Sequence, residues 1–273
     1  MQQLRREGRA GTLLTAVVSL AAVTPLFGEP SVRAEQVSQL VLGDTATVLE
    51  TKAGWRRVRL DRDGYEGWVN RGYVREWTLR ESEAWADRAR GWSDGAELDV
   101  GGTTVRLPLR ARAALVPDGV LLPDGRAGRV RRGAVRRFAE VIAEARGTPP
   151  GEWAARHFLG APYQWGGVTP WGVDCSGLVQ TTFAARGMAL PRDAAAQALA
   201  GVEIDPAAPR PGDLLFFRGE FGPGITHVAI AATGESLVHA ALACGGVVRE
   251  SWRPGTRAAG LRERMVMVRR IGD

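Results

Sequence analysis

A change of hydrophobic period near residue 147 constrains the fold of this 273-residue chain more than any other sequence feature. Before that point, apolar residues recur at every second position. Val58 and Leu60 alternate with Arg57, Arg59 and Asp61, while Val105, Leu107, Leu109, Ala111 and Ala113 alternate with Arg106, Arg110 and Arg112. Period two belongs to strands with one face buried. Asp63-Gly64, Asp118-Gly119 and Asp124-Gly125 supply turns, the last two flanking the apolar run Val120-Leu121-Leu122. Short strands between turns suggest small barrels. The reading is a tail over 1–13, one β unit over 14–77, and a second over 78–148 that ends in a helix over 134–146. There Val135, Phe138, Val141 and Ile142 fall at helical spacing, and Gly147 with Pro149-Pro150 marks the main boundary.

From 149 to 273 the texture is α+β. A short helix, Trp153 to Phe158, leads into a loop rich in glycine and tryptophan. Asp174-Cys175-Ser176-Gly177 follows, and Leu178 to Arg186 reads as a second helix. Leu214–Phe217, His227–Ala232 and Leu237–Ala240 then read as buried strands.

The N-terminus admits two readings. Arg5, Arg6 and Arg9 precede an apolar stretch from Leu13 to Phe27, which resembles a signal peptide and would imply export. Pro25 interrupts the stretch, it is too short to span a bilayer, and no small-x-small cleavage site follows cleanly. The preferred reading is a first strand, Ala16 to Val23, in a cytoplasmic protein without stable membrane insertion.

Charge excludes some classes. The net charge is +6, almost all of its positive side is arginine, and Lys52 is the only lysine. Schiff-base lysine chemistry and a P-loop are therefore disfavoured. The arginines are scattered and no nucleic-acid module is recognisable. Two cysteines, Cys175 and Cys244, in a chain able to bury its own core read as free thiols, Cys244 as a packing residue. Close-spaced metal ligands are not apparent in the sequence, so neither a metal nor an organic cofactor is expected.

Cys175 stands where a loop meets the first turn of a helix, a position that favours a thiolate. Only three histidines are available as its base. His157 reads as a surface helix residue. If the strands carrying His227 and His239 are antiparallel neighbours, one imidazole can act as base while the other orients it. From spacing alone, a buried cysteine and two satisfied histidines remain the competing reading.

Several motifs then carry a resemblance. Leu159-Gly160-Ala161-Pro162-Tyr163-Gln164-Trp165-Gly166-Gly167, Asp174-Cys175-Ser176-Gly177-Leu178-Val179, Leu190-Pro191-Arg192-Asp193, Pro211-Gly212-Asp213-Leu214-Leu215-Phe216-Phe217 and His227-Val228-Ala229-Ile230 occur in this order. Together they resemble the NlpC-type family of papain-like cell-wall peptidases over about the last 120 residues. Glu35 to Leu40 and Gly64 to Val69 are similar to the bacterial SH3 module that precedes the catalytic domain in one branch. The implied fold is a papain-like domain behind two small SH3-like barrels. The implied catalytic residues are Cys175 as nucleophile, His227 as base and His239 as orienting group. Asp174 and Ser176 would read the substrate, with Tyr163, Trp165 and Asp193 lining the cleft and Glu35 and Tyr65 reaching in from the SH3 side.

That branch resembles γ-D-glutamyl-L-diamino-acid endopeptidases, so peptidoglycan stem peptides with a free N-terminal L-Ala are the implied substrates. Rivals are an acyltransferase or amidase on the same fold, and a non-catalytic cell-wall binding protein. The sequence names neither the diamino acid, lysine or diaminopimelate, nor the oligomeric state.

Overall fold

The computed structural model describes residues 15–219 and 222–272. The tail over 1–13, with its three arginines, lies outside them. The first unit is a seven-stranded sheet: β1 Thr15–Ser19, β2 Val23–Phe27, β3 Gln36–Val41, β4 Thr45–Lys52, β5 Trp55–Leu60, β6 Glu66–Asn70 and β7 Val74–Thr78. Its spatial order is β3-β2-β6-β5-β4-β1-β7. The apolar N-terminal stretch forms two strands where one was expected, because the chain bends at Leu20–Ala22. Val17, Val18 and Leu26 are fully buried there. Val58 and Leu60 point inward while Arg57 and Arg59 face water, as the alternation requires.

A helix that periodicity did not reveal follows, α1 Leu79–Arg88. Thr78 and Glu81 close a capping box at its start, and Trp85 anchors it through an indole N–H donated to the Gly43 carbonyl at 2.9 Å. The second unit contains β8 Gly91–Val100, β9 Thr103–Val116, β10 Gly119–Leu121, β11 Ala127–Arg132 and β12 Val135–Arg137. Pairing of β11 with both β10 and β8 closes this sheet on itself. Val135–Arg137, expected to be helical, pair with Gly91–Ser93 instead, so the helix starts later, as α2 Phe138–Arg146. Exposed strand hydrogen-bonding groups on β8 outweigh the helical spacing of one valine.

α3 spans Pro150–Phe158, three residues longer at its start than expected, with Pro150 in the first turn, where its missing N–H costs nothing. A two-stranded ribbon, β13 Val168–Thr169 and β14 Gly172–Val173, then delivers the chain to α4 Cys175–Ala185. α5 Ala194–Gln197 and β15 Val202–Ile204 precede β16 Leu214–Arg218, β17 Ile225–Ala232, β18 Ser236–Ala241, β19 Gly246–Ser251, α6 Ala259–Arg262 and β20 Met265–Arg270. The six strands lie in the order β15-β20-β16-β17-β18-β19. α4 packs on β17 and β18, with Leu178, Val179 and Phe183 essentially fully buried. Each such side chain contributes about 2 kcal/mol through lost apolar exposure. No helix among the described residues is long and apolar enough to cross a membrane.

Candidate active site

Cys175 is the first residue of α4 and is buried. Asp174 caps the helix by accepting from the Gly177 N–H at 2.8 Å. Gly177 has no alternative, since a Cβ there would lie 2.0 Å from the Gly167 carbonyl oxygen. The thiol faces the backbone N–H groups of Ser176 and Val228, which places it beside the residue that follows His227.

His227 is the third residue of β17 and His239 lies on β18. The register Ile230–Val238, Ala231–Leu237, Ala232–Ser236 puts both histidines on one face of the sheet. His227 Nε2 and His239 Nδ1 are 2.8 Å apart. His239 Nε2 is 2.9 Å from Glu250 Oε2, on β19. Arg257 in turn donates to both oxygens of Glu250.

Glu250 was missed at the sequence level, and it fixes the proton pattern. A carboxylate only accepts, so His239 must carry its proton on Nε2. Its Nδ1 then accepts from His227 Nε2–H, which leaves His227 Nδ1 bare and able to take a proton. Burial acts to raise the Glu250 pKa, but hydrogen bonds from Arg257 and His239 outweigh it and hold the group below the usual carboxylate range. Glu250→Leu is expected to lower kcat at least about tenfold, by freeing the wrong tautomer, with KM nearly unchanged. Glu250→Gln should recover part of the loss, because its amide oxygen still accepts. Steady-state kinetics on both variants checks this, and a Leu variant with wild-type kcat would sink it.

Burial also works against one expectation. Cys175 is pushed up to about 11, chiefly by desolvation and then by Asp174, despite the helix terminus and flanking N–H groups. His227 is pushed down to about 3 by burial and by His239. Both shifts favour the neutral forms, a thiol and an imidazole, over the charged ones. His227 also makes the fold acid-sensitive. Its folded pKa lies below the usual value near 6.5, so the unfolded chain binds an extra proton between about pH 6.5 and 3, and stability falls as pH drops through that window. Urea titrations at several pH values should show a shallower decline for His227→Asn than for wild type; identical slopes would overturn the assignment.

The substrate-side residues divide into two groups. Tyr65, Trp165, Asp193 and Glu35 line a cleft of about 460 Å³ with Cys175. Trp165 donates its indole N–H to Glu35 at 2.6 Å, and Tyr65 donates its hydroxyl to Asp193 at 3.2 Å. Both bonds cross between the first β unit and the last domain. Gly166 allows the close approach: its φ is +76°, and a Cβ would lie 2.5 Å from the Gln36 carbonyl oxygen. Burial pushes the Tyr163 hydroxyl up to about 12, helped by Cys175, so it remains a donor.

Asp174 and Ser176 are the second group. Both line the cleft, with their polar atoms hydrogen-bonded to protein partners. Asp174 accepts from the N–H groups of Gly166 and Gly177, from Ser176 Oγ, and from Arg192 at 3.1 and 2.5 Å. Arg192 also donates to Ser176 Oγ at 2.7 Å and, through Nε, to Ser38 Oγ at 3.1 Å. This buried arginine, between Pro191 and Asp193 in a quoted motif, was not singled out from sequence. It ties the nucleophile's helix to β3.

Two minor expectations also change. His157 is half-buried against Trp153, with ring centroids 4.2 Å apart. Cys244 is partly exposed, with Arg257 Nη2 2.6 Å from its sulfur. Folding gathers His239, Cys244 and Glu250 within 4.8 Å, a metal-competent set that spacing did not reveal, and the Arg257 guanidinium lies against it.

Comparison with known proteins gives the family. The NlpC/P60 family pattern matches residues 160–268, and a bacterial dipeptidyl-peptidase SH3 domain pattern matches residues 26–72. Through this C-terminal domain, the chain belongs to the NlpC/P60 family. A Bacillus cereus protein named gamma-D-glutamyl-L-lysine dipeptidyl-peptidase is 30% identical over 74% of this chain and 66% of its own length. A Bacillus subtilis protein of the same name is 46% identical over 30% of this chain and 28% of its own. The chain thus spans less than two thirds of the length of either relative. A crystal structure of an NlpC/P60 family protein from Bacillus cereus superposes with a TM-score of 0.75 at 21% identity, covering 93% of this chain and 99% of that one. The NlpC/P60 domain and the small β unit ahead of it therefore share that fold.

Proposed function

We propose that this chain is a cysteine endopeptidase hydrolysing the γ-D-Glu–diamino acid bond of peptidoglycan-derived peptides that carry a free N-terminal L-Ala. The observation that carries the reading is a pair of carboxylates in the cleft that holds Cys175. Glu35 and Asp193 line it from two domains, held by Trp165 and Tyr65. Two carboxylates in one cleft suit a free α-amino cation. The names of the two Bacillus relatives support the same bond.

His227 Nδ1 takes the Cys175 proton as sulfur attacks the γ-carbonyl carbon. Tyr163 Oη–H and the Cys175 N–H donate to the oxyanion. Protonated His227 passes its proton to the leaving amine, which departs and leaves a thioester. Water, deprotonated by His227, attacks the thioester and releases L-Ala-D-Glu with a free γ-carboxyl.

Mass spectrometry of products from L-Ala-γ-D-Glu-diaminopimelate and its lysine counterpart tests the reading. The dipeptide plus the free diamino acid is expected. Release of L-Ala, or transfer of the dipeptidyl group to an added amine, would refute it. A cytoplasmic peptide-recycling role accompanies this proposal, with residues 15–27 retained as β1 and β2; a native mass beginning near residue 28 would instead indicate export.

A further inference from the structure

We propose that a cavity where the three folded units meet, separate from the Cys175 cleft, binds the carboxylate of a small organic acid. The cavity has a volume of about 220 Å³. Three of its lining side chains each present a buried polar atom without a partner: Arg110 Nε, Trp92 Nε1 and Gln180 Oε1. Their residues are 4%, 2% and 3% exposed. Buried polar groups are ordinarily satisfied, and these three lie in residues around one cavity.

Arg110 is the centre of the case. The alternation along β9 predicts an outward side chain, yet this one is buried. The register with β8 slips between the pairs Trp92–Arg112 and Asp94–Leu109, so Arg110 and Ala111 together oppose Ser93. Such a bulge re-aims a side chain. Arg110 adopts φ +71°, a left-handed conformation that favours glycine. A strained backbone that drives an arginine inward is a feature with a use. Its sole hydrogen-bond partner among the described residues is Thr181 Oγ1, at 3.0 Å, on the helix that begins with Cys175.

Charge and shape set the ligand class. Arg62 engages both Asp44 and Asp63, at 2.7 and 3.1 Å. Arg112 donates to the Ala89 carbonyl at 3.1 Å and lies 4.6 Å over the Phe138 ring. Three guanidinium groups against two carboxylates leave one positive charge, on Arg110, which suits a monoanion. A carboxylate accepts from an arginine edge through two oxygens. The Trp92 and Phe138 rings, stacked 5.0 Å apart, supply apolar wall for the body of an organic acid. A donor on that body would satisfy Gln180 Oε1.

The test uses the full chain and propionate as probe, with sodium chloride at matched ionic strength and inorganic phosphate as comparison arms. Propionate should raise Tm saturably, on the order of 5 °C at a hundredfold excess over Kd. Arg110→Gly, which suits the backbone φ, should fold and abolish the response. Trp92→Phe, which keeps the ring but not the N–H, should weaken it. In a crystal soaked with propionate, a carboxylate on the Arg110 guanidinium supports the site. A response no greater than that to chloride, stabilisation by phosphate alone, an undiminished response in Arg110→Gly, or ordered water only in the cavity would overturn it.

Discussion

Cys175→Ala is expected to lower kcat/KM by at least about 10⁴-fold while leaving the melting curve close to wild type. The sulfur is the strongest nucleophile at the head of α4, and alanine fills the same buried spot without losing a hydrogen bond that holds the helix. His227→Ala should cost about as much, because nucleophile and base act as one unit. Cys244→Ala should retain most activity, since its sulfur touches Arg257 and Glu250 but not the cleft. A dead Cys244 variant beside an active Cys175 variant would reverse the assignment. Rates on the tripeptide, with circular dichroism of each variant, decide it.

Acetylating the substrate's amino terminus is expected to lower kcat/KM at least about a hundredfold, roughly 2.7 kcal/mol. The acetyl group removes the cation that Glu35 and Asp193 would face and adds bulk beside the lining residues of the first β unit. Both carboxylates would then be covered by ligand without a partner, which is the costly outcome. Side-by-side rates on free and N-acetylated tripeptide give the number. Equal rates, or efficient digestion of intact sacculi, would show that the cleft does not select for the amine.

The parts legible in the sequence are those written in local pattern. Period two around Val58 and Leu60 gave the strands of the first unit, and the parity of His227 and His239 gave their shared face. Cys175 was legible because a loop–helix junction has its own signature. The missed helix α1 was also legible: Thr78 and Glu81 spell its capping box. Long-range pairing was not. Nothing local marks Glu250 as the partner of a histidine on the next strand, and an arginine beside an aspartate reads as surface until Asp174 and Ser38 are seen to enclose Arg192. Arg110 looked like the polar half of an alternation because a bulge shifts parity without altering composition. The burial that works against a thiolate was hidden for a related reason: a helix terminus is visible in sequence, while burial is a property of the assembled domain.

β20 is the last described strand in the chain, yet it lies inside the sheet, between β15 and β16, and β16 in turn holds β17 with its histidine. Leu215 and Phe216 pair with Val268 and Met267 across that seam. During synthesis, the nucleophile and its base therefore leave the ribosome before the strand that completes their sheet. Until Met265–Arg270 emerge, β16 has an open edge and the histidine-bearing face lacks its full support.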